Sequence, residues 1–259
     1  MHPMEHLRHV ARSHGLEHQM LAAESAYALA GFSDDPGALV TACRRMVARQ
    51  ANSGPTMWVA ARMLAAADAF ETSRELAETL SDDPTARLLA RELPDEAKVV
   101  TVGWSTVIPA ALRRRGDVAV AAVGGSGAFL RRLRSAEVDV ADVADAALGV
   151  AVAEADLVLL ETWAAGSRRF AAELGSLAAA AVARHSGTPV WLTAGLGAFV
   201  HEDLWRRIEA GLVGVDATLD VVDLDLVDRV ATPGGVVDVA AAVAAADRLP
   251  APELTRDIG

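Results

Sequence analysis

The sequence predicts an α/β protein in which an N-terminal helical domain precedes a Rossmann-like, doubly wound parallel sheet. In residues 1–95, apolar side chains recur at the three- and four-residue spacing of helices. From Lys98 onward, short apolar runs rich in valine and leucine alternate with longer helical segments. Continuous apolar strands that alternate with helices are typical of a parallel sheet covered on both faces. We therefore expect a helical domain over residues 1–95 and a ligand-binding α/β domain over residues 96–259.

The helical half is divided by turn-forming residues. Its periodic segments lie at residues 21–29, 39–47 and 57–70. Breaks are predicted at residues 33–37, 52–55, 81–84 and 94–95, where Pro, Gly, Asp, Asn and Ser concentrate. Pro55 suits the first turn of the helix that follows it.

The second half alternates strands and helices. Strands are predicted at residues 98–103, 117–123, 157–161, 189–193 and 227–232, and helices at 104–116, 128–136, 169–184 and 201–211. Ligands of such sheets bind beyond the carboxyl ends of the strands. The turns to inspect are therefore residues 103–106, 124–127, 161–166 and 194–197.

Composition excludes several classes of function. The chain has 259 residues, 35 of them acidic and 24 basic, and its formal net charge of −11 opposes nonspecific nucleic-acid binding. Aromatic residues make up 4% and do not interleave with a basic stripe, so no direct nucleic-acid surface is predicted. Apolar stretches such as 178–183 and 236–246 are too short to span a bilayer.

Cysteine and histidine usage points to a cytoplasmic protein without a metal centre. Cys43 is the only cysteine, so neither an intrachain disulfide nor a cysteine-based metal site can form. The N-terminus carries charges throughout and does not resemble a signal peptide. Its five histidines, His2 to His18, fit a solvated terminal helix better than a metal site. No cofactor and no metal are predicted.

Two turns of the sheet could seat a phosphate. Ser105 and Thr106 stand where a strand gives way to a helix, which favours either an anion or a simple helix cap. Gly124, Gly125 and Ser126 follow the next strand, and a glycine-rich backbone can approach a ligand closely. Their spacing fits neither the dinucleotide fingerprint nor a Walker loop, and a tight turn without ligand explains them equally well.

The third turn carries a carboxylate. Glu161 ends a predicted strand, and Trp163 follows it. A carboxylate at the mouth of a parallel sheet could act as a base or bind sugar hydroxyls. It could equally pair with Arg168 or Arg169, which is the commoner outcome.

Four segments together resemble one family. They are residues 49–64 (RQANSGPTMWVAARML), 99–112 (VVTVGWSTVIPAAL), 143–166 (VADAALGVAVAEADLVLLETWAAG) and 220–235 (DVVDLDLVDRVATPGG). In this order they resemble the initiation factor 2B alpha/beta/delta family, whose enzyme relatives include methylthioribose-1-phosphate isomerase and ribose-1,5-bisphosphate isomerase. The first segment resembles the family's Arg-Pro-Thr segment. The resemblance implies a phosphorylated small-molecule ligand and a homodimer.

The chain departs from the isomerases at their catalytic positions. The family's catalytic cysteine falls at Gly103 or Trp104, and its aspartate at Thr162 or Trp163. The family's Asn-Lys pair falls near Ala172 and Glu173. Trp163 would fill the space of a small acid, and Glu161, two residues earlier, or a different acid could replace it as the catalytic group.

The resemblance implies a set of ligand-binding residues. These are Arg49, Ser105, Thr106, Ser126 and Asp145, to which the glycine turn adds Gly124 and Gly125 and the third turn adds Trp163. We expect a protein that binds a sugar phosphate or a nucleoside monophosphate in a regulatory or sensor role, without typical isomerase activity. Two alternatives stay open: an aldose–ketose phosphate isomerase with non-standard catalytic residues, and an assembly subunit of a larger complex.

Overall fold

The computed structural model describes residues 18–103, 106–125, 127–214 and 217–255. Its N-terminal part is helical, with α1 (His18–Ala30), α2 (Pro36–Arg49), α3 (Gly54–Ala65), α4 (Ala69–Ser81) and α5 (Thr85–Glu92). Strands and helices then alternate as β1 (Lys98–Val102), α6 (Val107–Leu112), β2 (Ala119–Val123), α7 (Gly127–Arg134), β3 (Asp139–Val143), α8 (Leu148–Ala153) and β4 (Leu157–Ala165). The remaining elements are β5 (Arg169–Glu173), α9 (Ser176–Ser186), β6 (Val190–Thr193), α10 (Glu202–Ala210), β7 (Leu219–Asp223), β8 (Arg229–Thr232), β9 (Gly235–Val237), α11 (Val239–Ala245) and α12 (Pro252–Thr255).

Local side-chain caps define the ends of the N-terminal helices. Asp35 accepts hydrogen bonds from the backbone of Gly37 and Ala38 at the start of α2, and Ser53 caps α3. These caps confirm the breaks predicted there. The continuous helix predicted over 57–70 is wrong, because Asp68 caps a new helix by accepting from the backbone N–H of Glu71.

The main sheet confirms the doubly wound architecture. Its strand order is β3-β2-β1-β4-β6-β8-β9, and the strands from β3 to β8 along this path are parallel. Only β9 pairs antiparallel to its neighbour β8. The strand order reverses between β1 and β4. In a sheet of this topology, that point is where a crevice opens outside the carboxyl ends of the strands.

A second, antiparallel branch leaves the sheet at β4. This strand continues past Glu161 to Ala165, where the predicted strand ended, and pairs with β5, which pairs in turn with β7. The helix predicted over 169–184 is therefore wrong in its first part, and only Ser176–Ser186 is helical. Pairing on both edges of β5 overrides the helical preference of its alanines. Strands β3, β7 and β9 were not predicted.

The antiparallel branch joins the N-terminal helices in one apolar cluster. Leu29, Met46 and Met57 of the helices pack in the same cluster as Ala171 of β5 and Trp205 of α10. The helices thereby lie against the extension of β4, next to the carboxyl edge of the main sheet. The division into domains at residue 95 stays a prediction. No helix of the described residues combines the length and apolarity needed to cross a bilayer.

The start of α3 packs backbone against backbone. A β-carbon placed on Gly54 would lie 2.7 Å from the carbonyl oxygen of Ala198 and 3.1 Å from those of Gly197 and Trp163. Main-chain atoms cannot swing aside as a side chain can, so this position has room for glycine only. Gly54 therefore determines how closely α3 approaches β4 and the loop after β6.

We expect Gly54→Ala to lower the free energy of unfolding by about 1–3 kcal/mol, because the added methyl group overpacks a rigid contact. The matched control is Gly149→Ala in α8, where a β-carbon meets nothing within 4 Å. In a helix that change should be neutral or raise stability by up to about 1 kcal/mol. Urea denaturation followed by circular dichroism measures both. Equal effects of the two substitutions would contradict the proposed contact.

Candidate functional site

The candidate site lies at the carboxyl ends of β1 and β4. These strands pair in parallel, with Val99 opposite Leu157 and Thr101 opposite Leu159. Gly103 follows β1 with a φ of +65°, a conformation that glycine adopts freely. Glu161 stands where β4 leaves the main sheet. The place where the strand order reverses, here called the crevice, therefore lies between Gly103 and this glutamate.

The carboxylate of Glu161 is bound by the N-terminus of α6. Its Oε1 accepts hydrogen bonds from the backbone N–H of Thr106 at 2.9 Å and from the Thr106 hydroxyl at 2.7 Å. Its Oε2 accepts from the backbone N–H groups of Val107 at 2.8 Å and Ile108 at 3.1 Å. An internal carboxyl group thus occupies the helix N-terminus for which the sequence allowed either a phosphate or a simple helix cap at Ser105 and Thr106.

Burial and hydrogen bonding act in opposite directions on Glu161. Burial raises the pKa of its carboxyl group, while the hydrogen bonds from Thr106, Ile108 and Val107 lower it, and burial prevails. Because both oxygens already accept hydrogen bonds, this side chain is held as a structural cap of α6. A catalytic role for Glu161 stays a prediction, and it would require these hydrogen bonds to open.

A second carboxylate, which the sequence did not single out as a site residue, lies beside the first. Glu173 ends β5, and a β-carbon on Gly103 would lie only 2.5 Å from its β-carbon. Its Oε1 accepts a hydrogen bond from Nε1 of Trp163 at 3.2 Å. Burial raises the pKa of Glu173, the hydrogen bond from Trp163 lowers it, and the charge of Glu161 raises it further. The crevice is therefore acidic.

Trp163 packs between Glu173 and the first helix. Its ring meets that of His18 edge-on, with centroids 4.0 Å apart and planes at 63°. Burial lowers the pKa of His18 to about 4, so the imidazole is neutral at physiological pH. Its Nδ1 is buried and has no hydrogen-bond partner among the described residues.

The neighbouring helix α9 is also capped by an internal acid. Oδ2 of Asp220 accepts hydrogen bonds from the backbone N–H groups of Gly175 at 2.8 Å and Leu177 at 2.9 Å. Gly175 itself approaches Val102 of β1, since a β-carbon on it would lie 3.3 Å from Cγ1 of that valine. Two helices that begin beside the crevice, α6 and α9, thus have their N-termini neutralised by carboxylates of this chain.

Gly124, in the turn after β2, lies beside Asp145, and both belong to the predicted set of ligand-binding residues. Gly124 has a φ of +64°, and a β-carbon on it would lie 3.2 Å from Oδ1 of Asp145. Asp145 is exposed and opens a short 3-10 turn. Farther along, a β-carbon on Gly127 would lie 3.3 Å from a guanidinium nitrogen of Arg131. Ser105 and Ser126, both predicted site residues, lie outside the described residues.

Arg49 is not brought to the crevice. It ends α2 with an exposed side chain, and within the described residues no hydrogen bond or ion pair joins it to Glu161 or Glu173. The Pro55–Thr56 pair that matches the family's Arg-Pro-Thr segment is preceded by Gly54, where no side chain fits.

No thiol or metal centre substitutes for the missing groups in the part of the chain that is described. Cys43 is buried in the helical layer, and burial raises the pKa of its thiol to about 12, so it is not a nucleophile at neutral pH. No cluster of His, Cys, Asp and Glu suited to a metal ion occurs among these residues. Of the five N-terminal histidines, only His18 is described.

Comparison with known proteins identifies the architecture. The chain matches no protein-family model and no curated protein sequence. Among solved structures, it resembles translation initiation factor eIF-2B of Pyrococcus horikoshii OT3, with 15% identity, 91% of this chain and 96% of that chain covered, and a TM-score of 0.75. The chain has the eIF-2B fold.

Two further structures share this fold. The tetrameric eIF2B-beta2-delta2 complex of Chaetomium thermophilum matches at 17% identity and a TM-score of 0.73, covering 93% of each chain. The 5-methylthioribose 1-phosphate isomerase of Pyrococcus horikoshii OT3 matches at 14% identity and a TM-score of 0.63, covering 91% of this chain and 84% of that one. The eIF-2B fold is thus found both in subunits of an assembly and in an enzyme.

We expect Glu161→Ala to lower the free energy of unfolding by about 2–4 kcal/mol, because it leaves the first N–H groups of α6 without their acceptor. Chemical denaturation measures the loss. The control is Glu154→Ala, which removes an exposed glutamate at the end of α8 and should leave stability nearly unchanged. A native-like stability of the Glu161 variant would show that α6 does not depend on this cap.

We expect Glu173→Gln to become more stabilising, relative to the native chain, as the pH rises. The raised pKa of Glu173 means that its contribution to stability is present below the ordinary carboxyl value of 4.5 and is lost at higher pH. Glutamine does not titrate and can still accept the hydrogen bond of Trp163. Melting temperatures of both proteins between pH 4 and pH 8 test this, and a difference that is independent of pH would contradict it.

Proposed function

We propose that the chain is a relative of the eIF-2B subunits that binds a sugar phosphate or a nucleoside monophosphate in a regulatory or sensor role, without typical isomerase activity. The observation that carries this proposal is the cap at Glu161. In this proposal the carboxylate nearest to the isomerase position serves the fold and not proton transfer, because both of its oxygens accept hydrogen bonds from α6. A likeness in fold alone does not transfer catalysis.

The phosphate binds, in this proposal, at the turn between β2 and α7. The N-termini of α6 and α9 already hold carboxylates, whereas Arg131 reaches the first turn of α7 beside Gly127. Backbone N–H groups at a glycine-rich helix start, together with a guanidinium group, are the donors that phosphate prefers. Asp145, next to Gly124, then accepts hydrogen bonds from sugar hydroxyls. The acidic pair Glu161 and Glu173 keeps the phosphate on this side of the crevice.

Assembly is a second candidate role, and one feature of the surface favours it. The face of β1, β2 and β3 beside α8 is partly uncovered, and Val150 of α8 is 62% exposed there. One of the structures with this fold is a tetrameric complex. In this proposal the chain forms a homodimer in the cytoplasm, and light scattering coupled to gel filtration tests the dimer. A monomer in both pure protein and cell extract counts against the assembly role.

A thermal-shift screen tests the ligand. Ribose 5-phosphate, ribose 1,5-bisphosphate and AMP are compared with unphosphorylated ribose and with inorganic phosphate. A ligand at one hundred times its dissociation constant should stabilise the protein by about 2.7 kcal/mol, which corresponds to a rise of roughly 5–10 °C in melting temperature. We expect Arg131→Ala to weaken binding about tenfold or more, since it removes a charge-assisted hydrogen bond.

Arg134→Ala is the matched control, because it removes the same charge from the exposed far end of α7 and should leave affinity unchanged. If both variants lose affinity equally, the loss reflects the change in overall charge and not a contact made by Arg131. No shift with any phosphorylated compound would overturn the binding proposal. Conversion of ribose 1,5-bisphosphate to a ketose in an NMR assay, abolished by Glu161→Gln, would instead establish the isomerase alternative.

A further inference from the structure

A separate cavity opens beyond the carboxyl ends of β6 and β8. Its volume is about 380 Å³, near the lower end of the range for small-molecule sites. Parts of α3, the loop after β6, β9 and α11 form its walls. The lining includes Trp58, Phe199, Val237, Ala242, Ala245 and Asp247. Glu161, Glu173 and Asp145 do not line it, so it is distinct from the crevice at β1 and β4.

The walls of this cavity are apolar and rigid. Trp58 and Phe199 are both 7% exposed, and Ala242 is 3% exposed, so these groups are fixed by the surrounding core. The loop after β6 lies close against Trp58, since a β-carbon on Gly197 would lie 3.0 Å from that of the tryptophan. A preformed apolar cavity with aromatic walls favours a flat ring over a flexible chain.

One end of the cavity is polar. Asp247 lies at the rim and accepts a hydrogen bond at its Oδ2 from Nε1 of Trp58 at 3.3 Å. The same oxygen pairs with Arg62, whose guanidinium carbon lies 5.2 Å from the centre of the Trp58 ring. No described residue donates to Oδ1 of Asp247, which leaves an acceptor at the rim for a ligand donor.

Charge decides which ring compound suits this end. One terminal nitrogen of Arg62 pairs with Asp247 and its guanidinium group lies over the Trp58 ring, while its buried Nε has no hydrogen-bond partner among the described residues. The chain as a whole carries a formal net charge of −11. A carboxylate or phosphate on the ligand would meet the field of this charge, whereas an ammonium group would be attracted to it.

We propose that this cavity is a second ligand site, which takes an aromatic amine of one or two fused rings. The ring lies between Trp58 and Phe199, and the ammonium group donates to Oδ1 of Asp247. This site is independent of the phosphate site at the β2–α7 turn, and the proposal does not rest on the function proposed for that turn.

Three probes with one ring system test the class of ligand. Tryptamine is cationic, indole is neutral and indole-3-acetate is anionic. Saturation-transfer NMR and calorimetry on the full chain should rank their affinities in that order, with tryptamine binding at a dissociation constant on the order of a millimolar or below. An absence of tryptamine binding at ten millimolar would overturn the proposal, and so would tighter binding of indole-3-acetate.

Variants in α11 locate the site. Ala245 is exposed and lines the cavity, so Ala245→Phe should fill it from the open side and reduce tryptamine affinity at least about tenfold. Ala244→Phe makes the same change at the next exposed position, which does not line this cavity, and should retain binding. Circular dichroism of both variants checks that they fold. Equal affinities of the two folded variants would overturn the assignment.

A variant of the rim identifies the amine contact. Asp247→Asn keeps an oxygen that can accept the hydrogen bond from Nε1 of Trp58, and it removes the negative charge. The preference for tryptamine over indole should then fall about two- to fivefold, as expected for a partly exposed ion pair. An unchanged preference would overturn the role of Asp247. If no phosphorylated compound shifts the melting temperature but tryptamine still binds, only the function proposed above is overturned.

Discussion

The hydrogen bonds between Glu161 and the N-terminus of α6 connect the two strands on which this site is built. Glu161 belongs to β4, and the donors that it accepts begin the helix after β1. A single side chain therefore holds together the turn and the strand on either side of the point where strand order reverses. The acidity of the crevice follows directly, because the carboxylate that secures the turn also repels any anion that approaches it.

This arrangement explains how the same fold can serve different chemistries. A helix N-terminus at the mouth of a parallel sheet attracts negative charge from whatever source supplies it. In this chain both sources of negative charge are internal. Glu161 binds the N-terminus of α6, and Asp220 binds the N-terminus of α9. Helices that bind their own carboxylates gain stability but have fewer free donors for a ligand.

The sequence was sufficient to predict the architecture but not the arrangement of the site, and the two outcomes have different physical reasons. Strands such as Lys98–Val102 and Val190–Thr193 are buried on both faces, so their apolar runs stand out. The strand Arg169–Glu173 has no such clear pattern, because its alanines fit a helix or a strand equally well. Only pairing with β4 and β7 makes this segment a strand. Missing this strand concealed Glu173, whose place against Gly103 depends on the hairpin. Had the turn at Gly166 been read as a hairpin, the glutamate would have been found.

The role of Glu161 could not be read from its neighbours along the chain. Arg168 and Arg169 suggested an ion pair, but the partners that the structure provides are three backbone N–H groups and one threonine hydroxyl, 53 to 55 positions away. Backbone donors leave no trace in a sequence, since every residue but proline has one. Arg49 is the last residue of α2, and its part in a ligand site stays a prediction.

The close packing of Gly54 also bears on how such a chain can change over generations. A side chain at this position, arginine above all, would collide with three main-chain carbonyl groups. Any residue larger than glycine at this position would therefore require α3 to move away from β4 and from the loop after β6. The contact therefore restricts the substitutions that position 54 accepts, because all three carbonyl groups belong to the main chain of other segments.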